Sequence, residues 1–66
     1  MCSPKVFLRK GKEEILLMED VQSIVWENTT RFLLTNLLGK TTWVEGKIVS
    51  MDLLNHHIII EGDASD

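Results

Sequence analysis

"TTWVEGKIVSMDLL" (Thr41–Leu54) carries the longest β signature in this 66-residue chain. Six of its first nine residues are β-branched or aromatic, the types that fit a pleated, half-buried surface. Its one glycine, Gly46, falls in the interior, where glycine weakens a strand and marks a bulge or bend. The stretch therefore predicts one long or bulged strand that changes direction at Gly46.

The neighbouring segments agree with it. "KVFLR" (Lys5–Arg9) and "EILLM" (Glu14–Met18) are apolar and strand-like, and the polar Lys10–Glu13 with Gly11 between them reads as a hairpin tip. Glu19-Asp20 turns the chain. "VQSIVWE" (Val21–Glu27) has apolar residues at helical spacing, with Asp20 as a possible N-cap. It also alternates with period two and is β-branched, and its neighbours are strands, so a strand is expected. "TTRFLLTN" (Thr29–Asn36) continues the pattern up to Gly39-Lys40. Asn55-His56 turns into "HIIIEG", and "DASD" (63–66) reads as a frayed polar tail. About five to seven short strands with turns between them predict an all-β domain over 1–66, a small barrel or sandwich.

A core this small rarely supplies more than about 3–5 kcal/mol, so small folds often recruit a disulfide, a metal or a second copy. One cysteine excludes an internal disulfide, leaving metal or dimer. No apolar run approaches the roughly 18 residues of a membrane span, and no secretory signal is evident. A lone free cysteine fits a reducing compartment, so a cytoplasmic protein is expected. The net charge of −3 argues against a nucleic-acid partner, whose binders commonly have a domain pI above about 9.

Most catalytic motifs fail. "LLGKTT" (Leu37–Thr42) ends like a phosphate-binding loop, but the first glycine of that motif would fall at Leu34. No serine sits in a strand–elbow–helix context. Arg9, Lys10 and Lys12, with Lys47, offer an RNA-binding alternative, weighed against an ordinary solvated turn. Trp26 and Trp43 read as core or interface rather than as base-stacking platforms.

Cys2 is distinctive because of its position. The amine of Met1, the backbone nitrogen of Cys2 and its thiolate can close two fused five-membered rings around one ion. Such a nearly planar N,N,S set suits Ni(II) or Cu(II), whereas zinc prefers a tetrahedron. Pro4 lacks an N–H, so the chelate cannot continue through that nitrogen.

"MCSPKVFLRKGKEEILLMEDV" at the start and "GKIVSMDLLNHHIIIEG" near the end resemble the CooT-type proteins, small nickel-binding accessory proteins of carbon monoxide dehydrogenase maturation. Many relatives carry the description of predicted RNA-binding proteins. The resemblance implies an SH3-like β-barrel, a homodimer, and Ni(II) held through the cysteine matching Cys2, with His56 as a second donor. His57 stands where the family usually has Lys or Arg. It further implies a nickel enzyme or its maturation proteins as partners, and no catalysis by the chain itself.

Overall fold

A computed structural model describes residues 3–65. Six strands run in order: β1 (Lys5–Lys10), β2 (Glu13–Met18), β3 (Val21–Trp26), β4 (Arg31–Asn36), β5 (Thr41–Asp52) and β6 (His57–Ser65). They form one sheet in the order β2-β1-β6-β5-β4-β3. All neighbours are antiparallel except β1 and β6, which run parallel.

Sequence and topology together force this sheet to curl. In a flat sheet its two edges, β2 and β3, would lie about 24 Å apart at ~4.8 Å per strand. Yet only Glu19 and Asp20 join them, and three peptide units reach at most about 11 Å. The sheet must close back on itself into a barrel, left open between β2 and β3. Asp20 takes a positive φ of 54° at this joint, a conformation aspartate tolerates better than most residues.

Gly46 supplies the bend. It pairs with Gly62, and both have positive φ, 151° and 154°. A Cβ on Gly46 would sit 2.9 Å from the Cα of Gly62, and one on Gly62 would sit 2.7 Å from the Cα of Gly46. The two backbones thus cross where no side chain fits. Before the bend, Thr41–Glu45 of β5 pairs with β4; beyond it, β5 pairs with β6 alone. Likewise β6 pairs with β1 only through His57–Glu61. The two long strands each lend one half to two half-sheets that face each other across the core.

Alternation decides what lies between them, since successive side chains point to opposite faces. Val6 and Leu8, Phe32 and Leu34, Ile58 and Ile60 all point inward and are buried, with Val44, Met18 and Val21. Bulges at the Val6/Phe7, Val21/Ser23 and Ile48/Ser50 steps adjust this register as the sheet twists.

The sequence expectation for the tail needs correction. β6 continues through Asp63, Ala64 and Ser65, opposite Glu45, Val44 and Trp43, where "DASD" reads as frayed. These residues have poor intrinsic strand preference; pairing along β5 overrides it. Among the described residues, no helix is long and apolar enough to cross a membrane.

Candidate functional site

Met1 and Cys2 lie outside the described residues, and the structure fixes the chain immediately after them. The Pro4 carbonyl accepts the Val21 N–H at 3.1 Å, and the Lys5 N–H donates to the His56 carbonyl at 2.9 Å. Ser3 and Pro4 are half-buried. The segment leading to Cys2 is therefore held from two sides, by the β2–β3 joint and by the β5–β6 turn.

This anchor places His56 near the start of the chain. Lys5 pairs with His57 in the parallel β1–β6 ladder, so residues more than fifty positions apart become neighbours. His56 is half-buried and occupies the left-handed region at φ 57°, closing the turn after β5. His57 is exposed and meets the Phe7 ring edge-on, with centroids 5.2 Å apart. The adjacent histidines thus differ in environment, one in the turn and one at the start of β6. Among the described residues, no three His, Cys, Asp or Glu side chains cluster to hold a metal.

Asp52 builds the turn that carries His56. Its Oδ1 accepts the N–H groups of Leu54 at 3.1 Å and Asn55 at 3.0 Å, while Oδ2 accepts the Asn55 side-chain amide at 2.8 Å. The Asn55 side-chain bond is the largest cause holding the Asp52 carboxyl below its ordinary value of 3.8, followed by the backbone bonds and the His57 charge. A depressed carboxyl stabilises the fold above its unfolded pKa, and that contribution is lost as pH falls through the folded value. Amide exchange at Leu54 and Asn55 should therefore accelerate below about pH 4, relative to the core strands. The Asp52→Asn variant should show faster exchange there at neutral pH and a flatter acid response.

Leu53 and Leu54 occupy the turn tip at 75% and 87% exposure, and Val49 and Met51 are 40% and 50% exposed in the preceding half of β5. This half has no neighbour on its far side. A second turn repeats the design. Asn36 Oδ1 accepts the N–H of Leu38 at 3.0 Å and of Lys40 at 2.9 Å, Gly39 takes φ 85°, and Leu38 is 92% exposed. The Leu37 N–H bonds the Asp20 carbonyl, so this turn borders the same end of the barrel. The turns at Gly39-Lys40 and Asn55-His56 are read from the sequence; the exposure of the leucines they carry is not.

The basic cluster is largely neutralised. Arg9 pairs with Glu61 at 3.1 Å and Lys10 with Asp63 at 2.8 Å. Asp63 belongs to the stretch read as a tail, which is why this pairing escaped the sequence. Arg31 stacks on Trp43 at 4.4 Å from the ring centre, and Trp26 leans on Phe32 at 5.5 Å. Neither indole belongs to the buried core, and Trp26 is 51% exposed.

Residues 1–61 match the family described as CO dehydrogenase accessory protein CooT. An uncharacterised protein of Archaeoglobus fulgidus is 44% identical over 46 residues, which is 70% of this chain and 100% of its own length. The crystal structure of a candidate CooT from Carboxydothermus hydrogenoformans superposes with a TM-score of 0.81 at 27% identity, covering 94% of this chain and 98% of that one. Fold and sequence thus point to one group of proteins, and the chain belongs to the CooT family of CO dehydrogenase accessory proteins.

Proposed function

We propose that this chain is a homodimeric Ni(II)-binding protein that stores or delivers nickel for maturation of carbon monoxide dehydrogenase. Nickel is its cargo, bound through the Cys2 thiolate and backbone nitrogen, the Met1 amine and His56. The observation that supports the reading is the anchoring of Pro4 to Val21 and of Lys5 to His56, which brings the described start of the chain to the turn that carries His56. A thiolate with nitrogen donors in one plane matches the preference of Ni(II) for tetragonal N and S sites. Loading must displace protons from the thiol and the amide, so affinity falls as pH falls.

The second copy is supported by the far half of β5. Four apolar side chains, Val49, Met51, Leu53 and Leu54, stand exposed along a strand half that pairs only with β6, and its turn. Apolar surface of this kind is commonly an interaction site. A two-fold axis through this region would bring two termini together, because the same turn holds Lys5. An ion shared across that axis stabilises the dimer by mass action. The RNA alternative loses ground because two of its three tip cations are engaged with acids.

Titration of the untagged chain with Ni(II), followed by absorption and sedimentation, tests the proposal. A thiolate-to-nickel band and a dimer favoured by metal are expected. An extension at the N-terminus, which converts the amine to an amide, should weaken binding at least tenfold; equal affinity would exclude the terminal chelate.

A further inference from the structure

The barrel is open between β2 and β3, and the β2 side of the opening has a built groove. A cavity of about 480 Å³ lies at the end of β2, walled by Leu16, Leu17 and Met18 on one side and Leu38 on the other. That volume is in the range of sites that take a peptide side chain or a small ligand. β2 is a sheet edge, so half of its backbone donors and acceptors face no other strand. Ile15 and Leu16, at its centre, are 51% and 48% exposed.

The charge around this edge selects its occupant. Glu13 and Glu14 precede the apolar centre and Glu19 and Asp20 follow it. Lys10 and Arg9 lie opposite Glu13 and Glu14 in register, yet their ion pairs are with Asp63 and Glu61. Among the described residues, none of the four carboxylates flanking β2 has an ion-pair partner. Lys40 is the one cation lining the groove, against Glu19 and Asp20.

We infer that the β2 edge and its groove dock an extended segment of a partner protein, one whose apolar residues are flanked by lysine or arginine. The segment adds as a seventh strand. Its backbone meets the unpaired β2 groups, an apolar side chain enters between Leu16 and Leu38, and its cations face the flanking carboxylates. The groove adjoins the N-terminal anchor, since Leu37 bonds Asp20 and Val21 bonds Pro4. A docked partner would therefore lie near Pro4, at the described start of the chain. The inference does not depend on metal binding, and its test uses metal-free protein.

The full chain, labelled with ¹⁵N, is titrated with the peptide Lys-Lys-Val-Leu-Val-Leu-Lys-Lys and with the same core flanked by glutamates. The lysine peptide should shift amides of Ile15–Asp20, Leu38 and Lys40, and bind at least tenfold more tightly than the glutamate peptide. Leu38→Glu, at a site exposed enough to leave the fold intact, should lose at least tenfold in affinity. No binding, equal affinity for the two peptides, or shifts centred on β3 or the far half of β5 would overturn the proposal. So would a sedimentation change in Leu16→Glu without peptide, which would make this edge a contact between copies.

Discussion

Replacing Gly46 with alanine is expected to leave a chain that no longer unfolds cooperatively at room temperature. Two costs combine. A side chain at φ 151° is strained by roughly 1–3 kcal/mol. Its Cβ also meets the Glu61 carbonyl and the Cα of Gly62 at less than van der Waals distance, and forcing a packed backbone apart costs about 1–3 kcal/mol more. A core of nine buried apolar residues in a fold this small supplies about 3–5 kcal/mol in total. The losses match the whole margin. Gly62→Ala should behave alike, because the contact is reciprocal. Gly11→Ala is the control: its φ is 60°, but a Cβ there meets nothing within 4 Å. It should cost about 1 kcal/mol, a fall in Tm of roughly 4–8 °C. Thermal unfolding followed by circular dichroism separates the cases. A Gly46→Ala transition as sharp and as high as that of Gly11→Ala would show that the crossing of β5 and β6 is not what shapes the barrel.

Much of this architecture is legible in Thr41–Leu54. The β-branched run predicts a long or bulged strand, and the strand runs over Thr41–Asp52 with a bulge at the Ile48/Ser50 step and Gly46 at φ 151°. Gly62 is not legible in the same way, since its role exists only once it stands opposite Gly46. The end of β6 is hidden for a related reason: Asp63-Ala64-Ser65 has no strand preference of its own, and pairing with Trp43–Glu45 supplies it. The hairpin tip at Gly11 and the turn at Glu19-Asp20 rest on local chemistry and are read directly from the chain.

The candidate site divides along the same line. Cys2 is conspicuous as the one cysteine, and a chelate can be drawn from covalent geometry alone. That His56 borders the same terminus follows from the Lys5–His57 register, which joins the two ends of the chain and has no local signature. The neutralised basic cluster, the exposed leucine turns and the β2 groove are likewise products of topology. They arise where distant segments meet.

The second large effect concerns nickel. Cys2→Ala removes the thiolate, the softest donor in the proposed set, and leaves an amine, an amide nitrogen and an imidazole. Without the sulfur, the backbone nitrogen loses the neighbouring ligand that closes its second ring, and its deprotonation no longer pairs with a strong metal bond. Affinity for Ni(II) should fall at least a hundredfold, about 2.7 kcal/mol at 1.4 kcal/mol per factor of ten. His56→Ala should cost less, because the histidine adds one donor to a chelate already formed. Among the described residues the core begins at Val6, and the unfolding transition of Cys2→Ala checks that the fold is kept.

Nickel titration of untagged wild-type and Cys2→Ala protein at neutral pH, read by isothermal calorimetry and by the thiolate-to-nickel absorption band, tests the central claim most directly. The proposal predicts tight binding with the band in the wild type, and the loss of both in the variant with its unfolding transition unchanged. Retained affinity in Cys2→Ala would place the metal elsewhere and contradict the role assigned to the N-terminus.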